Sequence, residues 1–204
     1  MVRNHTQPTS LISCNQDKPM ETFLEIVYII GLPGTGKSTL MRAILDKMSD
    51  DPKAELRKEE GVTFHVFPDY ETIVLGIYDE QVFSGTDRLS KSIGPKFREW
   101  LPKAKDKYPG WTLLGEGERF SNNPNLDAMF EIGSPMELLH TFVDEETLEE
   151  RRRARNNTQD PKWMKGMKTR ITNLCKKYDT TELDLSDWDP KGGLPPYVGS
   201  LLDL

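Results

Sequence analysis

The chain has 204 residues, of which 36% are hydrophobic and 29% charged, with a formal net charge of −6. That length fits one domain with a proper core and a wet surface. No apolar run approaches the roughly 20 residues that span a bilayer, and the N-terminus lacks the succession of a secretory signal, so a cytoplasmic protein with no membrane attachment is expected.

Residues 1–20 are polar and aperiodic and read as a mobile tail. The domain is expected over 21–188, with a further tail over 189–204. Two cysteines, Cys14 and Cys175, are too few for a disulfide framework or a zinc site. Phe23 to Ile30 is nearly continuous apolar and β-branched, as suits a central strand of a parallel sheet covered on both faces.

Directly after it comes Gly31-Leu32-Pro33-Gly34-Thr35-Gly36-Lys37-Ser38-Thr39. Glycines let the backbone wrap an anion and turn successive N–H groups inward. The helix that follows brings its positive dipole end to the same point. In such a loop the lysine reaches the β- and γ-phosphates and the serine hydroxyl ligates magnesium. Lys37 and Ser38 take those roles here, and ATP with Mg2+ is the expected ligand pair. The helix itself is marked by Leu40, Ile44, Leu45 and Met48 and ends near Asp51-Pro52.

A strand pair is expected at Val62 to Phe67 and Thr72 to Tyr78. The loop after it carries Asp79, Asp87 and Arg88. An acceptor hydroxyl must lose its proton as phosphate arrives, and a nearby carboxylate is the usual base. Asp87 is the first candidate and Asp79 the second, with Arg88 holding phosphate. A helix then follows with Ile93, Phe97, Trp100, Leu101 and Ala104 on one face, and Pro102 is expected to kink or end it.

Trp111 to Leu114 forms a short strand running to Glu116, an apolar run closed by an acid that would orient magnesium or its water. Glu118 is the fallback. Another strand is expected at Glu137 to Val143. From Asp144 a helix places acids first and Arg151, Arg152, Arg153 and Arg155 last, as the macrodipole favours. Arg152 and Arg155 share a face at three-residue spacing and could clamp phosphates from a lid spanning about 144–162. A last long helix has the stripe Trp163, Met167, Ile171, Leu174 and Tyr178, and Leu183 with Leu185 suggests a final strand.

Alternating strands and helices predict an α/β fold, a three-layer sandwich of the P-loop kinase kind with a mostly parallel sheet. His5, His65 and His140 have no spacing that suggests a metal site or a catalytic triad.

The chain resembles the P-loop kinases of bacteriophages that modify thymine in their own DNA. The matching residues are Gly31 to Thr39 and Ser84-Gly-Thr-Asp-Arg-Leu-Ser90, within a resemblance running from about residue 23 to 178. It implies ATP-dependent phosphorylation of the 5-hydroxymethyl group of hydroxymethyluracil already inside DNA, with Lys37 and Ser38 serving the nucleotide and Asp87 and Arg88 the acceptor. DNA containing that base is then the expected partner. Two basic stretches, Lys91 to Lys107 and Lys162 to Lys177, could position a strand through its phosphates. A kinase for free deoxynucleoside monophosphates or another small hydroxyl compound uses the same groups. A nucleotide-operated switch is the third reading, although no Asn-Lys-x-Asp guanine-reading segment occurs.

Overall fold

The computed structural model describes residues 24–79, 85–154 and 160–204. Within them lie seven strands: β1 (Glu25–Gly31), β2 (Glu55–Glu59), β3 (Val62–Phe67), β4 (Thr72–Leu75), β5 (Thr112–Glu116), β6 (Met136–Phe142) and β7 (Thr181–Asp184). The helices are α1 (Lys37–Lys47), α2 (Gly94–Lys107), α3 (Asn123–Glu131), α4 (Glu145–Ala154), α5 (Pro161–Lys177) and α6 (Pro196–Leu202).

All strands join one sheet in the order β2-β3-β4-β5-β1-β6-β7. Pairing from β4 through β7 is parallel, and β2, β3 and β4 pair antiparallel. The central strand shows why both faces must be covered. Ile26, Tyr28 and Ile30 enter one core with Phe97, Trp100 and Ile171, whereas Val27 and Ile29 enter the other with Leu40, Met41 and Ile44. Helices α2, α3 and α5 therefore cover one face, and α1 covers the other with α6. The sandwich has the three layers expected.

Four differences from the sequence expectation have physical causes. Strand β2 (Glu-Leu-Arg-Lys-Glu) is an exposed edge strand without an apolar run, so charge hid it. Helix α3 is short and mixed in polarity, and its best signal is the Asn122 cap, whose side chain accepts from Asn125 N. Helix α2 continues through Pro102 to Lys107. Pro102 is exposed, so water can serve the carbonyl its missing N–H abandons, while buried Phe97, Trp100, Leu101 and Ala104 hold the helix on the core. The segment read as a C-terminal tail forms α6, and Val198 is buried in the second core. The N-terminal tail lies outside the described residues.

Among the described residues no helix is long and apolar enough to cross a membrane. The parallel half of the sheet ends its strands side by side: Glu116 closes β5, Gly31 closes β1 and Phe142 closes β6. In open parallel sheets this carboxyl edge, where neighbouring crossovers diverge, is the place for a ligand.

Candidate active site

Residues 31–39 form the loop between β1 and α1. Gly36, with φ of 97°, stands before the first turn of α1, whose backbone N–H groups open onto the loop. The loop is pinned from beneath by threonines: Thr35 Oγ1 donates to Leu32 O at 2.9 Å and lies 2.9 Å from Thr141 Oγ1 at the end of β6. Lys37 Nζ donates to Gly31 O and Leu32 O, both at 2.9 Å, and so lies back along the loop.

Ser38 Oγ donates to Glu116 Oε1 at 3.2 Å. The register that pairs Glu116 with Ile29 turns its carboxylate to the α1 face, where Ser38 is. Glu116 is only 2% exposed. Burial is the main reason its pKa is pushed up to about 7; Lys37 opposes that shift, nearby Asp87 adds to it, and the Ser38 bond and Arg42 also oppose it. A carboxylate and a hydroxyl so close together, in an anion-binding loop, form an oxygen donor pair for a hard cation. Among the described residues no group of three or more His, Cys, Asp or Glu side chains could hold a metal. Mg2+ needs none, because it is typically held by one or two carboxylates plus substrate phosphates.

Asp87 sits in a single 3-10 turn, Thr86–Arg88. Its Oδ1 accepts from Glu118 N at 3.1 Å, and Thr86 Oγ1 donates to Glu116 O at 2.6 Å, so the turn is tied to the end of β5 from both sides. Arg119 fastens it again through Asp87 O and Leu89 O, each at 3.1 Å. Gly85 makes this closeness possible. With φ of 72°, it occupies a region that disfavours a side chain, and a methyl there would lie 2.6 Å from Glu116 Oε1 and 2.7 Å from the Tyr78 hydroxyl.

The structure therefore brings Ser38, Glu116 and Asp87 together beside Lys37. Asp79 and Arg88 pair with each other instead, Arg88 Nη1 donating to both Asp79 oxygens at 2.9 and 3.0 Å. Both remain part-exposed. The fallback Glu118 contributes its backbone rather than its carboxylate.

Above the loop, α4 contributes cations. Its N-cap is Asp144, whose carboxylate accepts from Thr147 N at 2.8 Å. Leu148 and Arg152 close over Gly34, where a methyl would lie 3.0 Å from Leu148 Cδ1 and 3.4 Å from Arg152 Cγ. Arg151 stands over Gly36 and donates to Leu185 O at 2.9 Å. Arg155, the expected partner of Arg152, lies outside the described residues. Arg153 points away and pairs with Glu149.

Sequence reasoning missed four contributors. Tyr78 and Tyr28 line the acid pair: burial raises both pKa values, Tyr28 donates to Gly117 O at 3.0 Å, and the Tyr78 hydroxyl is buried with no partner among the described residues. Thr141 and Arg151 reach the loop from β6 and α4. The available signal was position alone: each falls within three residues of a strand end or in the arginine run.

No curated protein sequence matches the chain. A crystal structure of an unliganded sugar kinase from Janibacter sp. HTCC2649 is 14% identical, with a TM-score of 0.42, over 88% of this chain and 94% of that one. The crystal structure of APE1195 is likewise 14% identical, with a TM-score of 0.42, over 91% and 98% of the two chains. A family model, P-loop Nucleotide Kinase3, matches residues 22–195, and the chain belongs to that family of P-loop kinases.

Proposed function

We propose that this P-loop kinase transfers the γ-phosphate of ATP to the 5-hydroxymethyl group of hydroxymethyluracil within DNA. The carrying observation is the placement of Asp87, from the segment that resembles the thymine-modifying phage kinases, against the Ser38–Glu116 pair at the phosphate loop.

In this reading the triphosphate lies in the cradle of residues 31–39. Lys37 leaves its loop carbonyls for the β- and γ-oxygens, and the α1 N-terminus faces the same charge. Ser38 and Glu116 would hold Mg2+, which when bound neutralises charge on the β- and γ-phosphates. The acceptor hydroxyl oxygen forms the new bond to phosphorus as the bond to the β,γ-bridging oxygen breaks, and ADP leaves. Asp87 takes the hydroxyl proton. Its Oδ1 is already oriented by Glu118 N, leaving Oδ2 for that proton. Arg152, above Gly34, stabilises the equatorial oxygens in the transition state.

The acceptor must be an alcohol that reaches between Asp87 and the loop. A 5-substituent on a pyrimidine projects into the major groove, so little base displacement is needed. Each basic stretch holds both lysines in ion pairs and lysines with none among the described residues. In the first, Lys103 pairs with Glu60, Lys107 with Glu59 at 2.6 Å, and Lys105 donates to Ile132 O. In the second, Lys165 and Lys176 on α5 carry no ion pair among the described residues, and both are exposed. Lys91 and Lys96 of the first stretch are likewise exposed with no ion pair among the described residues, so DNA phosphates are assigned to α5 because its Lys165 and Lys176 line a cavity shared with Leu32 of the phosphate loop.

The experiment is transfer of labelled γ-phosphate from ATP to hydroxymethyluracil DNA, ordinary DNA and free deoxynucleotides in parallel. Label on the base of the modified DNA alone is the expected result. Label on free nucleotides alone would replace it with a metabolic kinase, and release of free phosphate with every acceptor would leave a nucleotide switch.

A further inference from the structure

On the other side of the phosphate loop from Glu116 lies a cavity of about 560 Å³, between the end of β6, α4 and α5. Its floor is apolar, with Leu32 of the phosphate loop, Phe142, Leu148, Met164 and Ile171. Two nitrogens there are buried with no hydrogen-bond partner among the described residues, Arg152 Nε and His140 Nδ1. His140 Nδ1 is 3.9 Å from Glu182 Oε1, beyond hydrogen-bond reach, and its ring is held toward the neutral form chiefly by burial. Buried polar groups left unsatisfied are costly, and an apolar cleft with a few convergent polar atoms is the form of a small-molecule site. Lys165, Lys168 and Lys176 rim the opening; Lys168 faces Glu145 at 3.8 Å, and Glu182 is the other acid.

Its distance from the reacting groups decides what it could hold. Glu116 ends β5 and His140 lies near the end of β6, with β1 between them. Adjacent strands are spaced about 4.8 Å apart, so the two sites are separated by on the order of 10 Å. The register that pairs His140 with Ile30 also turns it to the opposite face of the sheet from Glu116. One mononucleotide acting as acceptor beside Asp87 cannot also fill this cavity. A strand can, since even stacked nucleotides advance about 3.4 Å each.

We propose that this cavity receives an unmodified base of the acceptor strand, one to three nucleotides from the residue being phosphorylated. The ring lies on the apolar floor, a carbonyl accepts from Arg152 Nε, and neighbouring phosphates meet Lys165 and Lys176. This rests on the DNA-kinase reading and deepens it, because it makes the polymer a requirement rather than a preference.

Cys175 lines the same cavity and is half-buried, which permits a test independent of catalysis. In a Cys14→Ser background, the rate of Cys175 alkylation by N-ethylmaleimide is followed with an eight-residue oligothymidylate, an abasic oligomer of equal length, and thymidine monophosphate. Protection of about tenfold by the oligothymidylate and little by the abasic strand is expected from base stacking. Equal protection by the abasic strand, equal protection by the mononucleotide, or no protection at all would overturn the proposal. Met164→Trp should fill the cavity and raise the KM for an oligonucleotide acceptor about tenfold while leaving the KM for ATP unchanged. If modified DNA is phosphorylated with unchanged KM after Cys175 alkylation, the cavity assignment fails and the DNA-kinase reading stands. Base-dependent protection without any phosphorylation of modified DNA would do the reverse.

Discussion

The two flanks of the phosphate loop are built from opposite charges. On the β5 flank, Glu116 and Asp87 are crowded together, locked by Thr86, Gly85 and Arg119, with two buried tyrosines against them. On the β6 flank, Arg151 and Arg152 stand on a surface helix, and a cavity opens behind them with two nitrogens that find no hydrogen-bond partner among the described residues. A transferring phosphoryl group needs both. Acids handle metal and proton, and must be preorganised because like charges repel without a fixed frame. Cations handle the phosphate oxygens and must be able to approach and withdraw. The acidic flank is accordingly the one tied down by hydrogen bonds from Thr86 and Arg119 and by the Glu118 N–H.

The sharpest way to break this comparison is at its centre. Lys37→Ala should lower transfer by about 10³-fold, as loss of a charge aimed at the transition state does. Its melting temperature should stay within a few degrees of wild type, and full activity in a folded variant would refute the phosphate-loop mechanism.

Next comes the division of labour between the two aspartates. Asp87→Asn is expected to cost about 10²–10⁴-fold in kcat, the usual contribution of a positioned base. Asp79→Asn should cost little, because its carboxylate is paired with Arg88. If the two variants behave the other way round, Asp79 is the base and the geometry around Glu118 N is incidental.

Glu116 links chemistry to stability. Its folded pKa, about 7, lies above the ordinary value of 4.5. The native state therefore holds a proton that the unfolded chain has lost between those values, and stability contributed by this group is present below pH 4.5 and falls as pH rises through 7. Without nucleotide or metal, Glu116→Gln should be more stable than wild type by on the order of 1–3 kcal/mol at pH 8, with the gain vanishing near pH 4.5. Denaturant titrations at the two pH values measure this, and a gain of equal size at both would show that desolvated charge is not the cause. The same variant should lose most activity, since a neutral amide is a poor partner for Mg2+.

Gly85→Ala should destabilise the fold by about 1–3 kcal/mol through backbone strain at a positive φ. The added methyl also pushes on Glu116, so kcat should fall as well; an unchanged kcat would mean that the acid pair tolerates displacement. The smallest effect belongs to the surface. Lys103→Ala should change stability by no more than about 1 kcal/mol and leave DNA affinity unaltered, as exposed ion pairs contribute little. Lys165→Ala should weaken DNA binding and reduce the salt slope by about one unit. Equal DNA effects at both lysines would return the α2 stretch to the interface.

Local sequence determined a great deal here because its signals are short-range. The phosphate loop is legible since glycine positions, a lysine and a serine must be contiguous to wrap an anion. The covered parallel strand reads as an unbroken apolar run, and α4 and α5 announce themselves through Asp144 and Asp160 with the apolar or charged faces behind them. Glu116 was visible as an acid closing an apolar strand. What only the tertiary structure decided is which distant residues meet. Asp87 reaches Glu116 through Gly85 and Thr86, Tyr78 arrives from beyond β4, and Asp79 and Arg88 choose each other. His140, Arg152 and Cys175 share a cavity only because β6, α4 and α5 converge. Sheet order and register set those meetings, and they follow from how whole faces bury, which no local pattern encodes.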